Sequence, residues 1–294
     1  MTAYLNGQFL PLEEARISPL DRGFLFGDGA YEVIPVYARR AFRLEQHLAR
    51  LQVTLDGIAL PNPHTLAEWH ERLQRVIADS PHADQSVYLQ VTRGADSKRE
   101  QSFPQGVPPT VFIFSTALPA LIVQRERGIA VLSEVDNRWL RCNLKTVSLL
   151  ANVLLRQQAI DAGCAETILL RDGVLSEGAT SNIFVVKGGV LLAPLRDHRM
   201  LTGITYDLVL ELAAKHGMPY QMRDIADAEL RAADELWLTS STREVLPIVS
   251  LDGRPVGSGI PGPAVRQMQA WYSAYRQPVV GEGDAGDAGD ARDG

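Results

Sequence analysis

RWLRCNLKTVSLLANVLLRQQA, residues 138–159, followed shortly by ETILLRDGVLSEGATSN, residues 166–182, decides how this chain is read. The first part runs from a polar segment into a helix expected over residues 148–163, with Gly163 as the C-terminal glycine that lets a helix end. The second part holds two apolar runs around Asp172-Gly173, the pattern of a tight hairpin. Lys145 stands at the entry to this stretch and Glu177 near its exit.

Hairpins recur on either side. YLNGQFLPL places apolar runs about Asn6-Gly7, SNIFVVKGGVLLAP about Gly188-Gly189, and a last pair flanks Asp252-Gly253. Gly23, Gly27 and Gly29 precede a strand from Tyr31 to Tyr37. They serve turns and are not a dinucleotide fingerprint, which follows a strand and opens a helix. In that strand Tyr31, Val33, Pro35 and Tyr37 share one face and Glu32, Ile34 and Val36 the other. Helices are expected from Leu44, with Leu48 and Leu51 on one face and Arg50 on another, and over residues 66–80, 200–217 and 262–277. Strands and helices do not alternate strictly, so the fold class is α+β and not a doubly wound parallel sheet. The expected organisation is a smaller N-terminal α/β domain over residues 1–118, a linker over 119–127, a larger C-terminal domain over 128–278, and a disordered acidic tail over 279–294.

With 294 residues the chain can bury sizeable cores, and its 46% hydrophobic and 22% charged content is ordinary for a globular protein. A net charge of −6 argues against nucleic acid or an anionic membrane as partner. No run reaches the ~18–20 apolar residues needed to span a bilayer, and no signal-peptide pattern opens the chain. Cys142 and Cys164 form no framework and read as reduced thiols of a cytoplasmic protein. No His/Cys cluster has metal-ligand spacing, so no metal is expected.

The chain has four lysines, which allows elimination. Lys98 lies in a polar loop, Lys187 beside a Gly-Gly turn, and Lys215 in the last turn of a helix, where the dipole favours a cation. Lys145 alone has apolar neighbours, Leu144, Val147, Leu149 and Leu150. Such surroundings disfavour a charged amine, which is what an amine nucleophile requires. If Lys145 bonds an aldehyde cofactor, Glu177 gains a role as the carboxylate that keeps a ring nitrogen protonated. A phosphate would suit the helix start at Gly203-Ile204-Thr205, the hydroxyls of Ser240 and Ser241, and the guanidinium of Arg50.

Taken together, DRGFLFGDGAYEVIPVY, the EQHLARL segment with Arg50, RWLRCNLKTVSLLANVL, EGATSNIF, LTGIT and LTSSTREVLP resemble pyridoxal-phosphate enzymes of fold type IV, above all the D-amino-acid transaminases. The likeness runs from Tyr4 to about Tyr275. It implies a two-domain fold whose C-terminal domain is β-barrel-like, and a homodimer with pyridoxal 5′-phosphate as cofactor. It implies that Lys145 bonds the cofactor and shuttles a proton, that Glu177 pairs with the ring nitrogen, and that Leu201 packs on the ring. Arg50, Ile204, Thr205, Ser240 and Ser241 match the phosphate cup. Tyr31, Val33, Ser241 and Thr242 match the substrate pocket. The implied reaction is transfer of an amino group from a D-amino acid to a 2-oxo acid, 2-oxoglutarate or pyruvate.

One departure stands out. Where D-amino-acid transaminases carry an Arg-x-His pair to grip the substrate carboxylate, this chain has Lys98, Arg99 and Glu100. Lysine is a point charge without the bidentate fork, so altered carboxylate recognition and activity on (R)-amines are expected. A branched-chain L-amino-acid transaminase and an aminodeoxychorismate lyase are the alternatives within the same fold type.

Overall fold

The computed structural model describes residues 1–281. The expected acidic tail lies outside them from residue 282 onward. The Asn-Gly pair makes its hairpin: β1 (Thr2–Leu5) and β2 (Gln8–Pro11) flank Asn6 at φ 48 and Gly7 at φ 94, the left-handed pair that such a turn demands. A short helix α1 (Arg22–Phe26) is capped by the Asp21 side chain on the Gly23 N–H and ends on left-handed Gly27. Only Gly27 of the three early glycines serves a turn. At Gly23 a Cβ would lie 2.3 Å from the Thr92 side chain, and at Gly29 2.6 Å from the Val91 carbonyl. These two are required by close packing against a neighbouring strand, which no local pattern reveals.

β3 (Gly29–Tyr37) turns through Ala38 and Arg39 into β4 (Arg40–Ala41), then α2 (Leu44–Gly57) and α3 (Leu66–Ala78) lead to β5 (Gln85–Thr92) and β6 (Thr110–Ala117). The six strands form one sheet in the order β2-β1-β6-β5-β3-β4, antiparallel throughout. Leu48, Leu51 and Leu55 of α2 and Trp69, Leu73 and Val76 of α3 pack on Ile34, Val36, Val87, Leu89 and Ile113. Within the expected linker, residues from Ile122 form a helix, α4 (Ile122–Arg127).

The second sheet comprises β7 (Ile129–Val135), β8 (Glu166–Arg171), β9 (Val174–Gly178), β10 (Asn182–Lys187), β11 (Val190–Ala193), β12 (Tyr220–Met222), β13 (Glu235–Ser240), β14 (Glu244–Leu251) and β15 (Arg254–Pro255). Between them lie α5 (Leu150–Asp161), α6 (Ile204–Lys215) and α7 (Asp227–Arg231), and α8 (Pro263–Gly281) closes the described chain. The order is β12-β11-β10-β13-β14-β7-β8-β9, with β15 on β14, in a mixed sheet curled into a half-barrel. Period-2 alternation explains why β10 is apolar from Ile183 to Val186: Phe184 and Val186 enter the core with Tyr206, Val209, Met268 and Tyr272 of α6 and α8, while Ile183 and Val185 enter the opposite core. All three Gly-containing turns of this sheet form as read, with Asp172-Gly173, Gly188-Gly189 and Asp252-Gly253 in the left-handed region.

Candidate active site

Lys145 lies in the loop between β7 and α5, and that loop docks on β3 like a short extra strand. The Tyr31 N–H donates to the Lys145 carbonyl at 3.0 Å, the Val147 N–H to the Gly29 carbonyl at 3.0 Å, and Ala30 bridges to Thr146. The Lys145 N–H donates to the Thr54 hydroxyl of α2 at 3.2 Å. Its amine lies 4.0 Å from the centroid of the Tyr31 ring, which stacks on Tyr88. Val33 stands opposite Tyr88 in the β3–β5 register, so Tyr31, Val33 and Tyr88 share the face that meets the amine. The apolar setting read from the local sequence is corrected in part. Leu144 is buried, but Leu150 is 72% exposed, because α5 turns that side outward. The lysine's surroundings are aromatic and come from β3.

Glu177, on β9, is buried. One oxygen accepts from Arg138 at 2.5 Å, and the other from the Asn182 side chain and the Leu201 N–H, both at 3.2 Å. Burial pushes the carboxyl up to about 7, against the pull of Arg138 and the Leu201 N–H. Arg138 cannot cancel that burial because Asp136 holds the same guanidinium at 2.9 Å through two oxygens, and is itself bonded by Ser176 and paired with Arg171.

Asn182 ties this carboxylate to the start of α6. Its amide donates to the Leu201 carbonyl at 2.8 Å, and its oxygen accepts from the Gly203 N–H at 3.1 Å. A Cβ at Gly203 would meet that oxygen at 2.3 Å, so glycine is the residue that lets the helix start so close. No side chain caps α6, which leaves the N–H groups of Ile204 and Thr205 open at the positive end of a helix of 12 residues. Arg50 joins from α2, which packs on the first sheet. It holds Glu32 with two bonds, at 2.8 and 2.7 Å, and donates to the Thr202 carbonyl at 3.1 Å. Of its five N–H donors, part of the fork is thus committed to Glu32.

A continuous path results: Lys145 to Thr54, Thr54 to the Arg50 carbonyl, Arg50 to Thr202, then Gly203, Asn182 and Glu177. Ser240 and Ser241 lie beside it, since Thr239 pairs with Asn182 across the β10–β13 ladder. Ser240 accepts from Arg243 at 3.3 Å, and Ser241 and Thr242 are half-buried in the turn before β14. Thr239 shares Asn182's face of the sheet, and its buried hydroxyl has no partner. Lys98 and Arg99 are not brought in. Both are exposed, Arg99 lies over the Phe26 ring, and their loop is tied down by Arg22 through the carbonyls of Glu100 and Gln101.

Arg138, Asp136, Thr54, Asn182 and Thr239 were not identified from sequence. Only Asn182 carried a signal, being one strand and five residues beyond Glu177.

A family model described as Amino-transferase class IV matches residues 29–251. The chain belongs to the class IV aminotransferases. This aminotransferase is 36% identical over 269 residues to the D-alanine aminotransferase of Bacillus licheniformis, spanning 92% of this chain and 95% of that one. Its fold matches the Escherichia coli branched-chain amino acid aminotransferase with a TM-score of 0.88 over 97% of both chains, at 24% identity. It also matches a hypothetical aminotransferase from Mycobacterium tuberculosis, in a PLP-bound form, with a TM-score of 0.82 at 22% identity, over 93% of this chain and 98% of that one. Among the described residues, no group of three or more His, Cys, Asp or Glu could hold a metal, and no helix is long and apolar enough to cross a membrane.

Proposed function

We propose that this aminotransferase moves the amino group of D-amino acids to 2-oxoglutarate or pyruvate, with pyridoxal 5′-phosphate as cofactor. The observation that carries the reading is the path of hydrogen bonds, continued through the Thr202–Gly203 peptide, that joins the loop of Lys145 to Glu177 and the uncapped start of α6. The donor set fits the cofactor: one amine, one buried carboxylate, a helix N-terminus with open N–H groups, and the unpartnered Thr239 hydroxyl beside Ser240 and Ser241. When bound, the cofactor supplies an aldehyde and an electron-poor ring that stabilises negative charge on the substrate α-carbon. Lys145 holds and returns the α-proton at its amine, positioned over Tyr31. Glu177 keeps the ring nitrogen protonated, and the Leu201 backbone, clamped by Glu177 and Asn182, presents its side chain to the ring. Ile204, Thr205, Ser240, Ser241 and the free part of the Arg50 fork hold the phosphate.

D-specificity rests on the 36% identity to a D-alanine aminotransferase over nearly the whole chain. Tyr31, Val33, Ser241 and Thr242 line the substrate pocket in this reading, while Lys98 and Arg99 lie exposed on their own loop. With no Arg-x-His pair in this loop, the grip is weaker and (R)-amines without a carboxylate are accepted. The enzyme works in the cytoplasm as a homodimer of two-domain chains. Leu150, Val153 and Leu154 on α5 and Leu140 just before it are each more than half exposed, an apolar area that a second copy would cover. The test is a parallel assay of D-alanine, D-glutamate, (R)-1-phenylethylamine and L-leucine with each acceptor. Turnover of the D-substrates and the amine is expected; activity confined to L-leucine would refute the reading.

A further inference from the structure

Apart from the lysine pocket, α4 and α8 close over the start of β14 and border a cavity of about 260 Å³. Three guanidinium groups line it, Arg125 of α4 and Arg266 and Arg276 of α8. Glu244 and the exposed Glu126 are its acids. The Glu244 carboxylate is already consumed. It accepts from the Tyr37 hydroxyl at 2.9 Å and pairs with Arg276 at 2.8 Å and Arg125 at 3.0 Å.

What remains is a lining rich in donors. Arg125 Nε is buried without a partner. The hydroxyl of Tyr272, a residue 1% exposed, faces Tyr37 and Thr205. Arg266 spends only its Nε, on the Pro261 carbonyl at 3.3 Å, leaving its terminal N–H groups unused. Buried donors without acceptors are uncommon because each forfeits its hydration. A guest that offers several acceptors and negative charge satisfies them together, and arginine forks match the geometry of such a group.

We propose that this cavity binds a small oxyanion of the phosphate class, held by Arg266 and Arg125 Nε. The site shares no residue with the lysine cluster. It borders the turn at residues 241–243 through Glu244, so its occupant braces the hairpin that carries Ser240 and Ser241.

The experiment uses the enzyme loaded with pyridoxal 5′-phosphate, so that the cofactor's own phosphate place is filled. Inorganic phosphate is titrated calorimetrically at constant ionic strength, with chloride as the balancing anion. One saturable phosphate per chain is expected. Arg266→Gln should weaken it roughly tenfold or more, the loss of one hydrogen bond to a charged group. Cofactor absorbance should stay unchanged. Because Arg266 is exposed, its variant leaves the core intact. Absence of saturable binding, or equal affinity in wild type and Arg266→Gln, overturns the proposal.

Discussion

The two halves of the molecule each bury a glutamate against an arginine, with opposite results. Glu32, on β3, receives two bonds from Arg50 and one from His47 at 2.7 Å. Burial alone would raise its carboxyl, but these charges outweigh it and hold Glu32 far below the usual carboxylate range. Glu177 has one bond from an arginine that Asp136 also claims, and burial leaves it at about 7. The arginine that no second carboxylate claims makes Glu32 a permanent anion that fastens α2 to the sheet. The shared one leaves Glu177 a carboxyl poised near neutrality.

Breaking the fastened pair should cost most. Glu32→Gln leaves the Arg50 guanidinium without its counter-charge and is expected to remove about 3–5 kcal/mol of stability, read from the urea midpoint at unchanged slope. A loss below about 1 kcal/mol, the range of surface ion pairs, would mean the pair is merely superficial.

Glu177→Gln should instead act on chemistry. In the proposed role it removes the charge that would lie beside the ring nitrogen, and turnover should fall on the order of 10²–10³-fold in steady-state assays of D-alanine. The same residue gives the cofactor-free protein a pH signature. A folded carboxyl at about 7 and an ordinary one at 4.5 mean that the folded chain holds the extra proton between those values. Its stabilising contribution is therefore complete below about 4.5 and drains as pH rises through about 7, roughly 3 kcal/mol in all. Urea titrations from pH 4 to 8 should show this slope in wild type relative to Glu177→Gln; parallel curves would contradict it.

The smallest effect sets a baseline for the first half away from buried charge. Thr65 and Glu68 form a reciprocal capping box at the start of α3. Thr65→Ala should cost about 1 kcal/mol in the same unfolding assay and leave turnover unchanged.

What could be read from the sequence and what could not divide along physical lines. The hairpins at Asn6-Gly7, Asp172-Gly173, Gly188-Gly189 and Asp252-Gly253 were legible because a left-handed residue pair is a local demand. Lys145 was legible as the one lysine of four without an ordinary surface role. The Thr65–Glu68 box is equally local, written in its three-residue spacing. Long-range pairings left no such mark. Arg50 reads as a phosphate donor, and nothing local marks its two further bonds to Glu32, 18 residues earlier. Arg138 finds Glu177 across 39 residues. The parallel ladder of β14, β7 and β8 joins strands more than 100 residues apart in part, and the exposure of Leu150 depends on how α5 is turned.

In the proposed site Lys145, of all four lysines, carries the cofactor opposite Glu177. Borohydride reduction of the loaded enzyme, followed by peptide mass mapping, is the decisive measurement. A phosphopyridoxyl group is expected on the peptide containing Lys145 and on no other. The label on Lys98, Lys187 or Lys215, or on no lysine, would contradict it.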